Sequence, residues 1–149
     1  MNIFRQRKIT IKCKSRGLHQ ITDEILNSID LSGIKIGILN IFLKHTSASL
    51  TINENFSLEV GEDMEDISSL LVPDGKGYRH SLEGEDDMPA HFKSSMFGVS
   101  LNIPITDEKL QLGTWQGIFL CEHRDNPAYR EIIITLYGLQ NRWSDDNSL

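Results

Sequence analysis

Cysteine is scarce in this chain: there are two in 149 residues, and neither Cys13 nor Cys121 has a partner motif nearby. That argues against a disulfide scaffold and fits a reducing cytoplasm, which is the expected location. Long apolar runs are missing too. The uncharged apolar stretch Ile36 to Leu43 is broken by Gly37 and Asn40 and is too short to span a bilayer. No apolar h-region follows the first charged residues, so neither a secretory signal nor a membrane partner is expected. The basic excess that usually accompanies duplex nucleic-acid binding is also absent, since the net charge is −6. No Gly-x-Gly-x-x-Gly or Walker loop occurs, and Gly75-Lys76-Gly77 reads as a flexible turn. No Gly-x-Ser-x-Gly elbow occurs either, which argues against acyl hydrolysis.

What remains is an ordinary globular composition, 39% hydrophobic and 24% charged. It fits one domain over residues 1–149, without repeats or low-complexity segments. Charge is unevenly placed. Residues 59–91 carry ten acids against Lys76 and Arg79, while the first 20 residues carry six Lys or Arg and no acid.

Arg7 to Lys14 alternates, with Ile9, Ile11 and Cys13 on one side, which predicts a half-buried strand. A short helix follows, with Thr22 as N-cap, Asp23 and Glu24 in its first turn and Ile21 stapled onto Leu26; Ser32-Gly33 ends it. Ile34 to Leu43 is apolar on both faces and reads as a central strand. Val60, Met64, Ile67 and Leu71 recur at helical spacing and predict a helix over 57–71 with those residues inward. Pro73 opens a polar loop reaching about Asp87. Pro89 and Gly98 bracket a third helix over 89–97. Strands are expected at 99–103, 117–121 and 132–137, with a polar tail fraying from about Gln140 that Trp143 can pin. Strands broken by helices without βαβ alternation predict an α+β fold with largely antiparallel sheets.

Four histidines, His45, His80, His91 and His123, fall in loops or at element ends. Imidazole is the commonest side chain for binding divalent metal and moving protons near neutral pH. Three neutral imidazoles with one open position make a catalytic-type zinc site, although the spacings 45, 80 and 91 match no local ligand motif. Local hydrogen bonding of each ring is the competing reading. Thr46, Ser47, Ser49 and Thr51, followed by Asn53-Glu54-Asn55, form a hydroxyl cluster suited to a polar ligand, with Arg79 or Lys93 adding charge. A polar strand end or turn accounts for it equally well. The run Glu83-Gly-Glu85-Asp86-Asp87 suits Mg²⁺ or a solvated loop. Trp115 is expected to be buried, with Gln116 facing the opposite side.

Taken together, His45-Thr-Ser-Ala-Ser-Leu, Asn53-Glu54-Asn55, Tyr78-Arg79-His80, Glu83-Gly84, Ala90-His91-Phe-Lys93, Gly98-x-Ser100, Ile103-Pro104 and Leu112-Gly-Thr-Trp-Gln116 closely resemble the YjbQ family. The resemblance covers nearly the whole chain. It implies an α+β fold with a β-sandwich-like pair of largely antiparallel sheets, two or three short helices, and assembly as a homotrimer. It also implies thiamine-phosphate synthase activity, described in the family as secondary. That reaction joins a pyrimidine-methyl diphosphate to a thiazole phosphate, and a cation must neutralise the leaving diphosphate. The family's histidines map onto His45, His80 and His91, expected to bind a divalent metal, zinc first. Its acidic residue after the Trp-Gln strand maps onto Glu122.

The expected catalytic set is His45, His80, His91, Glu83 and Glu122. Ser47, Asn53, Arg79 and Lys93 are the expected substrate-binding residues, for a small phosphorylated molecule. Glu122-His123-Arg124-Asp125-Asn126-Pro127 departs from the family's Glu-x-Asp-Gly-Pro form, so His123 and Arg124 stay outside the site. The alternative function is a non-catalytic protein that holds a metal or a phosphorylated metabolite.

Overall fold

The computed structural model describes residues 1–141. Eight strands form two sheets: β1 (Asn2–Lys12), β2 (Gly17–Gln20), β3 (Ile34–Leu43), β4 (Ala48–Glu54), β5 (Ser100–Thr106), β6 (Lys109–Leu110), β7 (Gln116–Glu122) and β8 (Tyr129–Gln140). Three helices interrupt them: α1 (Thr22–Ser28), α2 (Leu58–Leu71) and α3 (Asp87–Phe97). One sheet runs β1-β8-β3-β5-β6 and the other β2-β7-β4, and every pairing is antiparallel. The α+β architecture expected from the sequence is therefore what the chain adopts.

The core lies between the sheets. Leu39, Ile41, Leu43, Ile103, Ile105, Ile132, Ile134 and Leu136 of the five-stranded sheet join Ala48, Leu50, Ile118 and Leu120 of the three-stranded one. β3 is central in its sheet, between β8 and β5, but only one of its apolar faces is covered: Leu39, Ile41 and Leu43 are buried, whereas Ile36 and Phe42 are exposed on the outer face. Gly37 and Gly138 face each other in the β3–β8 register. A Cβ on Gly37 would lie 2.6 Å from the Tyr137 carbonyl oxygen, so only glycine lets the two backbones pass this closely.

Several local expectations need correction. Thr22 does not cap α1; its Oγ1 accepts the Ile118 amide at 2.9 Å and so stitches the helix start to β7. Leu26 is 40% exposed, so Ile21 packs with Ile25 and Ile29 in the core instead. α2 follows its apolar spacing only in its first half, where Val60 and Met64 are half-buried. Ile67 and Leu71 face out, whereas Ser68 is buried and Glu65 and Ser69 bind Arg16. The ion pairs of Arg16, described below, outrank hydrophobic periodicity there. Ile67, Leu70 and Leu71 are left as an exposed apolar ridge. Trp115 is 59% exposed at the tip of a tight turn, edge-on to Phe56, and Gln116 is exposed beside it. The turn is closed by Gly113 N–H donating to Gln116 Oε1, which leaves Trp115 on the outside. At the chain's far end Gln140 N–H donates to Met1 O and Asn141 N–H to Gly33 O, so pairing extends to the last described residue. Trp143 lies outside the described residues.

Candidate metal centre

α3 begins at Asp87, two residues before Pro89, and this sets the site. Asp87 and His91 become i, i+4 neighbours on one helix face. His80 reaches the same point from the long loop. Asp87 Oδ2 lies 2.7 Å from His80 Nε2 and 3.2 Å from His91 Nε2, and the two rings are 5.4 Å apart. One ligand atom from each of the three residues falls within 4.8 Å of the others. Asp87 is 1% exposed, while both imidazoles keep an open side.

Two of the three residues are held from behind, His91 and Asp87. His91 Nδ1 is 2.7 Å from the Thr46 carbonyl oxygen, which can only accept, so Nδ1 carries a proton and Nε2 is turned toward Asp87. Arg124 donates from Nη1 to Asp87 Oδ1, from Nε to Asp86 Oδ2 and from Nη2 to the Glu83 carbonyl. This ties the acidic loop to the segment after β7. Gly84, with φ +120°, makes the bend that brings Glu83 O and Asp86 to the same guanidinium. Asp86 also accepts the Asp125 amide. Those bonds hold its carboxyl below the usual range against the opposing effect of burial. Beyond it Arg16 pairs with Glu65, Asp74 and Asp125 at 2.7, 2.7 and 3.0 Å.

His45 is locked in the opposite sense. The Glu131 amide donates to His45 Nε2 at 2.7 Å, so that lone pair is taken and the neutral ring carries its proton on Nδ1. Burial and the nearby Arg130 hold its pKa below the ordinary histidine value. His45 is thus not part of the ligand cluster, and Asp87 stands in the third place expected for it. His45 does share a cleft of about 560 Å³ with His91, together with Thr46, Ser94, Ser95, Gly98 and Val99.

The remaining expected residues are dispersed. Glu122 is buried in a two-pronged pair with Arg130, at 3.0 and 2.6 Å, and also accepts the Arg124 and Ala128 amides. Its oxygens are fully engaged and none is free for a ligand. Glu83 contributes its carbonyl rather than its carboxylate. The Ser47 carbonyl accepts from Arg130. Asn53 sits near the far end of β4, about five residues or roughly 17 Å of strand from Ala48, and caps the next amide. Arg79 is exposed beside His80. Lys93 leaves α3 on the face away from His91 and is 0% exposed, with its Nζ unpartnered among the described residues. It cannot reach a ligand in the cleft.

Sequence reasoning passed over Asp87, Thr46 and Arg124 as parts of the site. The signal for Asp87 was its four-residue spacing from His91, hidden by starting the helix at Pro89. Thr46 acts through its backbone and Arg124 through the tertiary fold, so neither leaves a pattern in the sequence.

A family model described as UPF0047 protein YjbQ-like matches residues 7–139. The UPF0047 protein YjbQ of Escherichia coli O157:H7 is 52% identical over 134 residues, covering 89% of this chain and 97% of that protein. A UPF0047 protein of Methanocaldococcus jannaschii is 43% identical, covering 88% of this chain and 93% of its own. Among solved structures, a YbjQ-like protein of unknown function from Sulfolobus solfataricus P2 superposes with a TM-score of 0.84 at 27% identity, over 93% of this chain and all of that one. A yjbq/upf0047 family protein from Clostridium acetobutylicum gives 0.78 at 34% identity, over 86% of this chain and 97% of its own.

Proposed function

The chain belongs to the YjbQ-like UPF0047 family, and from that premise we propose that His80, Asp87 and His91 form a divalent-metal centre, zinc first, beside a cleft for a small phosphorylated molecule. One observation carries this reading. The Thr46 carbonyl takes the His91 Nδ1 proton, so His91 Nε2 is turned onto the buried Asp87 Oδ2 at 3.2 Å, with His80 Nε2 2.7 Å from the same oxygen. A cation shared among these three atoms, a proton or a divalent metal, is what that spacing accommodates. Charge supports the same reading. The linked carboxylates Glu65, Asp74, Asp86, Asp87 and Asp125 outnumber the guanidinium groups of Arg16 and Arg124 that pair with them, an excess of negative charge that favours a cation. Two imidazoles and a carboxylate with an open position suit zinc of the catalytic type.

The activity we assign to this site is thiamine-phosphate synthase. A bound zinc would neutralise the diphosphate as it leaves the pyrimidine methylene. Arg79, exposed beside His80, is the chain's own cation for that group. Thr46 orients His91, and Arg124 fixes Asp87. The protein would act as a homotrimer, which the exposed Phe4, Ile36, Tyr137 and Leu139 on the outer face of the five-stranded sheet support. Two buried free thiols fit a cytoplasmic location.

The decisive experiment measures zinc content of untagged protein after chelation and reloading, with product formation from the two phosphorylated precursors. One zinc per chain is expected, with both metal and product lost in His80→Ala that still folds. Absence of zinc from the wild type would defeat the metal centre. Zinc without product would leave a metal-binding protein, and light scattering giving a monomer mass would defeat the trimer.

A further inference from the structure

We propose that His45 is the fixed N–H donor of the cleft, presenting Nδ1–H to an anionic oxygen of the phosphate kind, and is not a metal ligand. This deepens the reading of the cleft as a ligand site and does not depend on the metal. The argument starts from the sheet. β3 and β8 stay in register to the Leu43–Ile132 pair, where β3 ends. The Lys44 amide still donates to the Glu131 carbonyl at 3.1 Å, but no backbone carbonyl follows to take the Glu131 amide. His45 Nε2 takes it instead, at 2.7 Å, and the ring becomes one more rung of the β3–β8 ladder. A side chain held by a backbone amide cannot exchange its tautomer without breaking that rung. A neutral imidazole has one proton and one lone pair, and here the lone pair is used. Only a donor, Nδ1–H, remains for a ligand.

The rest of the cleft matches an acceptor. The chain is net −6, yet among the described residues no carboxylate lines this cleft, whose polar side chains are His45, Thr46, His91, Ser94 and Ser95. Ser94 Oγ is engaged with the Ala48 carbonyl, which leaves the Thr46 and Ser95 hydroxyls to join His45. Three neutral donors around an opening free of acids suit an oxyanion, whose oxygens accept from several directions at once. Gly98, with φ +95° and nothing within 4 Å of where its Cβ would stand, adds an unobstructed wall at the same place.

The test uses inorganic phosphate as probe and phosphorus NMR of metal-free protein near neutral pH. An asparagine amide takes the place of Nδ1–H and a glutamine amide that of Nε2. His45→Asn is expected to bind phosphate within about threefold of the wild type, and His45→Gln at least about tenfold more weakly. Zinc affinity, read by chelator competition, should stay unchanged in both, while His80→Ala loses it. Phenyl phosphate as a second probe separates free phosphate, bound equally well, from an esterified ligand, bound more tightly. The wild-type protein also gives a reading that needs no variant: nitrogen NMR of His45 should show Nδ1 protonated and Nε2 bare.

A protonated Nε2, equal phosphate binding by His45→Gln, or no saturable phosphate binding by the wild type would each overturn the proposal. Zinc binding lost in His45→Asn would overturn it too, by making His45 a ligand. A wild type that binds phosphate in the expected pattern but no zinc would defeat only the metal centre.

Discussion

The two faces of α3 are opposites. On one, Asp87 and His91 meet His80 at the surface, with His91 aimed from behind by Thr46 and Asp87 by Arg124. On the other, Lys93 is sealed, as is His123, whose Nε2 meets Ser49 Oγ at 2.8 Å and whose ring stacks on Phe97. There Lys93 Nζ and His123 Nδ1 have no partner among the described residues. Burial holds the Lys93 pKa down, and burial and Lys93 together push His123 down to about 3. Polar residues therefore do two separate jobs in one helix. The open face concentrates ligand atoms where an ion can reach them, whereas the closed face holds the pKa values of its titratable groups down by denying them water.

The sharpest way to break this division is to remove the wall behind both faces. Arg130→Met leaves the buried Glu122 carboxylate unpaired and should cost about 3–5 kcal/mol, read by urea denaturation. A loss below about 1 kcal/mol would mean that the Glu122–Arg130 pair is not sealed. Next, Asp87→Asn should weaken zinc binding about a hundredfold or more, near 2.7 kcal/mol, while Lys93→Met leaves it unchanged. Equal effects from the two substitutions would erase the distinction between the faces.

The third test is pH. His123 stays neutral in the folded chain down to about pH 3, but ionises near the ordinary histidine value of 6.5 once unfolded. The unfolded state thus binds the extra proton, and stability contributed by His123 is complete above pH 6.5 and lost as pH falls toward 3. The slope should approach about 1.4 kcal/mol per pH unit, and His123→Phe should remove that component from denaturation curves measured across the window. The smallest effect is expected from Lys93→Met. Replacing an unpartnered buried amine with a thioether of similar length should stabilise the fold by about 1–2 kcal/mol, seen as a higher urea midpoint. A destabilised Lys93→Met would show that the amine has a partner after all.

Elements whose burial follows directly from chain pattern were legible in the sequence. Ile34 to Leu43 could be bounded from its two apolar faces, and α2 from its spacing. The orientation of α2 was not legible, because Arg16 draws Glu65 and Ser69 inward through contacts some fifty residues apart in sequence. β2 and β4 were hidden for a related reason: their short polar segments become strands only by pairing with β7. In the site, His80 and His91 were legible as residue types that bind metal. The exchange of His45 for Asp87 was not, since it turns on which imidazole nitrogen meets a backbone group, and sequence carries no trace of a tautomer.

The place of β8 bears on how the chain is made. It is the last of the described strands, yet it lies between β1, the first, and β3. During synthesis β1 and β3 each wait with an open edge until more than 120 residues have emerged. Until then the five-stranded sheet can hold only β3 with β5 and β6, so its completion waits on the strand made last among those described. The four Lys and Arg of β1 keep that waiting edge charged, so that the nascent chain meets its own C-terminal strand before it meets a neighbour.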